Sequence, residues 1–96
     1  MLKNKAEKKV PGGKLLRVTV ETDESMSKIV NIMFTGDFYM HPEEEIHTLE
    51  NMLNGAQNDE NKLREIITKF FENEMIQILG AGPEDFLDIL LTALRG

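Results

Sequence analysis

"KLLRVTVETDESMSKIVNIMFTGDF", residues 14–38, alternates twice between apolar and polar positions. Leu16, Val18 and Val20 fall on one side of the chain and Arg17, Thr19 and Glu21 on the other, the period of a strand with one wet face. "TDESMS" (22–27) reads as a polar turn, after which Val30, Ile32 and Phe34 oppose Asn31, Met33 and Thr35. Two such runs with a short polar connection predict an antiparallel hairpin. Gly36 and Asp37 interrupt the second run, and Phe38-Tyr39-Met40 either extends it or forms a short third strand.

Downstream the period changes to that of helices. Pro42 suits a first helical position, with Glu43, Glu44 and Glu45 in the first turn, where carboxylates complement the helix dipole. Ile46, Leu49 and Leu53 make the apolar stripe, and Asn54-Gly55 is a C-terminal stop. Asn58 or Asp59 caps a second helix with the stripe Leu63, Ile66, Ile67, Phe70 and Phe71. "MIQILGAG" (75–82) is either extended or a connector, and Pro83 opens a third helix. There Phe86, Leu87, Ile89, Leu90, Leu91, Ala93 and Leu94 span an arc of roughly 200° at 100° per residue. Either the helix is sandwiched within its own domain, or Leu87 and Leu91 at one edge touch a partner protein. The expected fold is α+β: a small antiparallel sheet built on the hairpin and packed by about three helices.

Upstream, "VPGGK" (10–14) is a turn in which Pro11 fixes one φ and Gly12 and Gly13 permit positive φ. Residues 1–9 are polar, lysine-rich and without period, which predicts a flexible basic arm ahead of a single domain over 10–96. With 41% hydrophobic and 29% charged residues, the 96-residue chain has the composition of a globular domain with one core. The absence of cysteine excludes disulfides, thiolate metal sites and thiol catalysis. No signal-peptide or membrane-spanning apolar run is present, so the expected location is cytoplasmic, without membrane association. Residues 1–20 hold six basic residues against Glu7 alone, whereas the remainder holds five basic and sixteen acidic residues. The arm has no aromatic to stack a base and the acidic body repels phosphate, so nucleic acid is not an expected partner.

Residue patterns for chemistry fail on spacing. His41 and His47 are six apart, a turn of about 240° on a helix, so they do not share a face as paired zinc ligands do. Consecutive glutamates diverge by about 100° and do not flank a substrate. "GGK" lacks the first glycine, the following Ser or Thr and the following helix of a phosphate loop, and "GAGPED" lacks the third glycine of a dinucleotide fingerprint. Ser25 and Ser27 lie in a polar turn with no matching base. No catalytic or metal-ligating residue is assigned.

"KVPGGKLLRVTV" (9–20), "IVNIMFTGDFYMHPEEEIHTLENMLNG" (29–55) and "GAGPEDFLDILLTAL" (80–94) together resemble the C-terminal accessory domain of lipoate–protein ligases. The match is collinear from about Lys9 to Leu94, and its most specific parts are the "PGGK" turn and "TGDF" with the following P-E-E. Some members carry this domain fused behind a catalytic domain, and others, notably archaeal ones, as a separate small subunit; a chain that starts at Met1 looks like the latter. The resemblance implies no catalysis by this chain alone. It implies a heterodimer with a catalytic subunit that uses ATP, magnesium and lipoate to form lipoyl-AMP. That subunit then lipoylates lipoyl domains of 2-oxoacid dehydrogenases or the glycine cleavage protein. Carried over by motif, Gly12, Gly13 and Lys14 match the first signature and Gly36, Asp37, Phe38 and Pro42 the second, with Tyr39 beside Phe38 as an apolar anchor at the interface. The rival expectation is a free-standing interaction or regulatory module.

Overall fold

The computed structural model describes residues 1–10, 12 and 14–96; Pro11 and Gly13 lie outside the described residues. The chain runs β1 (Leu2–Val10), β2 (Lys14–Thr22), β3 (Ile29–Gly36), β4 (Tyr39–His41), α1 (Glu45–Leu53), α2 (Glu60–Phe71), β5 (Gln77–Leu79) and α3 (Pro83–Arg95). The first three strands form an antiparallel sheet in the order β1-β2-β3, and β4 pairs with β5 in a second, two-stranded sheet. The architecture is α+β, and the expected hairpin is β2–β3. Its alternation holds at Ile32 and Phe34, but a register irregularity at Glu21/Thr22 makes Ile29 rather than Val30 the first buried residue of β3.

The lysine-rich segment expected to be a flexible arm is instead strand β1, paired with β2 from Leu2↔Thr22 to Val10↔Lys14. Its inward positions are Asn4, Ala6, Lys8 and Val10, of which two are polar, so no apolar alternation is visible in the sequence. The polar pair bonds to α3 rather than packing on it. Asn4 Nδ2 donates to the Ala93 carbonyl at 2.8 Å, and Lys8 Nζ lies 2.9 Å from Asp88 Oδ2 and 3.1 Å from Asp85 Oδ1. The hydrogen bond to Asp88, opposed by partial burial and reinforced by Asp85, holds the Lys8 ammonium above the ordinary lysine range. The outward lysines Lys3, Lys5 and Lys9 are exposed along this edge strand, where charge discourages pairing with another chain.

With β1 in place, α3 is covered. It packs against β1, β2 and α2, and all seven apolar residues of its wide arc are buried. Leu87 and Leu91, 2% and 9% exposed, belong to the domain's own core and are not a free contact surface. Phe86 is fully buried at the junction, edge-on to Phe34 of β3 at 5.0 Å and to Phe38 at 5.4 Å, and tilted against Phe71 of α2 at 5.6 Å. Such contacts contribute about 0.5–1.5 kcal/mol each beyond area burial. Asp59 caps α2 by accepting from the Lys62 amide, and Gly82 opens α3 with its amide donating to Asp85 Oδ2 at 2.8 Å.

Helix α1 begins three residues after Pro42. Pro42, Glu43 and Glu44 form tight turns in which the amides of Glu45, Ile46 and His47 donate to carbonyls three residues back. Only Glu45 of the three glutamates stands in the first helical turn, and Glu44 makes no side-chain cap. The stripe of α1 contains an unexpected member: Glu50 is 8% exposed between Leu49 and Leu53. Its Oε2 accepts from the Phe34 amide on the free edge of β3 at 2.8 Å, and its Oε1 lies 3.1 Å from His47 Nδ1. Glu50 is thus a side-chain bracket between α1 and the sheet. Replacing it with alanine orphans a buried amide, at a cost of about 1–3 kcal/mol. The expected result is a lower urea midpoint at unchanged m for Glu50→Ala, with a smaller drop for Glu50→Gln, whose carbonyl oxygen still accepts.

Candidate functional site

Antiparallel pairing brings the β1–β2 turn and the end of β3 to the same end of the sheet, opposite the Asp23–Lys28 turn. At this end Gly12 has φ +97°, Lys14 is exposed at the start of β2, and Gly13 of the expected set lies outside the described residues. Gly36 closes β3 opposite Leu16 with φ +141°. A Cβ there would run into the Leu15 carbonyl oxygen and stand 3.0 Å from Leu16 Cα, so only glycine lets the chain pass over β2. The next amide, Asp37 N–H, donates to that same Leu15 carbonyl at 2.7 Å. The loop is therefore held by its backbone; the Asp37 side chain is exposed and makes no hydrogen bond among the described residues.

A third glycine loop completes the cluster. Gly80, with φ +93°, follows β5 and lies so close to "TGDF" that a Cβ on it would be 3.0 Å from the Asp37 carbonyl and 3.3 Å from Phe38 Cα. The same position is 3.7 Å from Lys14 Cγ, so the stem of Lys14 runs over Gly80. Lys14, "TGDF" and "LGAG" thus converge on one surface. The sequence treats "GAGPED" as a turn into a helix; the signal for more was two glycines directly ahead of a Pro-initiated helix, which marks a close approach only once its neighbour is known.

The two aromatics after Gly36 divide. Phe38 is half-buried against Phe86 and anchors its own loop to the core. Tyr39, 51% exposed, faces outward opposite Leu79, itself 68% exposed, in the β4–β5 ladder, while Met40 between them is buried with Ile78 half-buried across from it. His41 stacks on Tyr39 with ring centroids 6.4 Å apart, and Pro42 is half-buried behind it. The outer face of this small sheet is therefore Tyr39, His41, Gln77 and Leu79, continuous with "TGDF" and "LGAG". Lys14 makes none of the ion pairs that hold Lys8 and Arg17 among the described residues.

Among the described residues no group of three His, Asp or Glu side chains gathers where a metal ion could bind. A groove of about 200 Å³ beside the loops is lined by Phe38, Tyr39, Met40, Glu43 and Ile46. Nucleotide-sized ligands occupy pockets of about 300–1,000 Å³. A larger hollow of about 500 Å³ lies on the outer face of α2 among Arg64, Glu65, Thr68, Lys69 and Glu72, where no glycine loop presents amides to a phosphate. No helix among the described residues is long and apolar enough to cross a membrane.

Substitution at Gly36 tests the backbone argument. Gly36→Ala places a side chain in a strained region against Leu15, which we expect to lower the unfolding free energy by about 1–3 kcal/mol in chemical denaturation. Gly12→Ala meets nothing within 4 Å and carries the positive-φ penalty alone, so its loss is expected to be smaller.

The model of the family described as bacterial lipoate protein ligase C-terminus matches residues 2–90. The chain is 40% identical over 76 residues to lipoate-protein ligase A subunit 2 of Thermoplasma acidophilum, covering 79% of this chain and 76% of that protein. It is also similar to a chain of the solved archaeal lipoylation system of that organism, described as a bi-partite lipoate protein ligase and its E2 lipoyl domain. There the identity is 34%, the TM-score 0.78, and the match covers 99% of this chain and 97% of the other. The family match begins within β1, in keeping with the pairing of that strand in the sheet. The chain belongs to the lipoate protein ligase C-terminal domain family.

Proposed function

We propose that the chain is the non-catalytic accessory subunit of a bipartite lipoate–protein ligase, required by a catalytic subunit for ATP-dependent activation of lipoate to lipoyl-AMP. The observation that carries this reading is the near end-to-end structural match to a chain of a bi-partite ligase, 99% of one and 97% of the other, at 34% identity. The working location is the cytoplasm, and the complex uses ATP, magnesium and lipoate and delivers the lipoyl group to lipoyl domains.

The converging loops are the surface that acts. Gly36 and Gly80 bring "TGDF" and "LGAG" within van der Waals reach of each other, and the backbone bond from Asp37 to Leu15 fixes their height over β2. Docked on the catalytic subunit, this rigid edge orders a mobile loop over the nucleotide and keeps water out, as closing lids do. Lys14, free of ion pairs among the described residues, pairs with a carboxylate across the interface, and Tyr39 supplies an exposed aromatic anchor.

The test mixes this chain with a ligase subunit lacking the domain and follows pyrophosphate release from ATP and lipoate. Stimulation of at least about tenfold is expected, a barrier change of about 1.4 kcal/mol. Transfer from preformed lipoyl-AMP should be unchanged. Lys14→Ala or Asp37→Ala is expected to reduce the stimulation at saturating chain. No stimulation by the parent chain would favour a free-standing interaction module instead.

A further inference from the structure

We propose that the groove between β4 and α1, lined by Phe38, Tyr39, Met40, Glu43 and Ile46, receives one long basic side chain, arginine or lysine, from the catalytic subunit. The proposal rests on the accessory-subunit reading and names the chemistry of the partner at this surface. Size comes first: about 200 Å³ accommodates a single side chain, below the range of small-molecule pockets. The walls come next. Tyr39, 51% exposed, and the half-buried Phe38 and Ile46 offer an apolar lining for a methylene stem, and the Tyr39 ring face attracts a cation.

Charge decides the occupant. Glu43 lines the groove, and Glu44 and Glu45 follow it in the same turn. Among the described residues these three make no ion pair, nor do Glu21, Asp37, Glu65, Glu72 and Glu74, but of these carboxylates only Glu43 lines the groove. No basic residue lines the groove. An apolar channel with an uncompensated carboxylate on its wall complements a side chain with an aliphatic stem and a cationic head, and a carboxylate binds a guanidinium through two parallel hydrogen bonds. Phe38 belongs both to this groove and to the "TGDF" loop, so the two contacts lie on one continuous surface.

The experiment measures the affinity of the full chain for the catalytic subunit calorimetrically over a series of NaCl concentrations, for the parent, Glu43→Gln, Glu43→Arg and Tyr39→Ala. Thermal melts check that these exposed positions leave the fold intact. We expect Glu43→Gln to weaken binding roughly tenfold and to flatten its salt dependence, and Glu43→Arg to weaken it by about a hundredfold. Parent-like affinity of Glu43→Arg overturns the proposal. Loss confined to Tyr39→Ala with parent salt dependence also overturns it, since that marks an apolar occupant. Both results leave the accessory-subunit reading standing if the parent still binds and stimulates. A parent chain that neither binds nor stimulates removes that reading and the groove proposal with it.

Discussion

Helix α3 carries apolar side chains over more than half its circumference, and the fold is the solution to covering them. A helix resting on one sheet needs an apolar stripe of about 100°. Here the sheet extends to a third strand, β1, and α2 closes the remaining side, so that every residue of the arc is buried. Phe86 sits where these layers meet and touches rings from β3, from the loop after it and from α2. The core and the "TGDF" loop are therefore joined through one side chain, because the Phe38 ring of that loop packs on Phe86.

The hairpin and the three helices were legible because their periods are clean: two for Leu16, Val18 and Val20, and near 3.6 for Leu63, Ile67 and Phe70. Strand β1 was not legible, since Asn4 and Lys8 occupy inward positions and satisfy themselves on α3 through polar bonds. A pattern of burial is invisible when half of its members are hydrophilic. Missing β1 also left α3 without its cover, and that alone made Leu87 and Leu91 candidates for a partner. Glu50 was readable in principle, as a carboxylate falling on the Ile46, Leu49, Leu53 stripe, but its partner is a backbone amide, which no sequence displays. Among the site residues, the left-handed conformation expected at Gly12 is present. The convergence of Gly80 on Asp37 and Lys14 depends on the β4–β5 pairing, whose three-residue strands are too short to carry a period.

The two ends of the sheet differ in kind. At the Asp23–Lys28 turn, side chains tie the loop to itself: Asp23 accepts from Ser27 and Lys28, and Asn58 reaches across to the Met26 carbonyl. Those bonds, Ser27 foremost, hold the Asp23 carboxyl below its usual range. At the opposite end, glycines and a single backbone bond set the shape, and the side chains of Lys14, Asp37 and Tyr39 point into solvent without partners among the described residues, apart from His41 beside Tyr39. Backbone-defined loops with free side chains leave their polar groups available to another molecule.

The most direct measurement is amide hydrogen exchange of the chain, alone and with a catalytic ligase subunit. Slow exchange is expected in both states at the alternate amides of β1 that pair with β2, the others facing solvent on this edge strand. Exchange over 36–39 and 79–82 should slow only in the mixture, with the outer face of α2 unchanged. Fast exchange at every amide of β1 would contradict the fold account, and protection that appears on α2 while 36–39 and 79–82 stay unchanged would contradict the proposed placement of the contact surface.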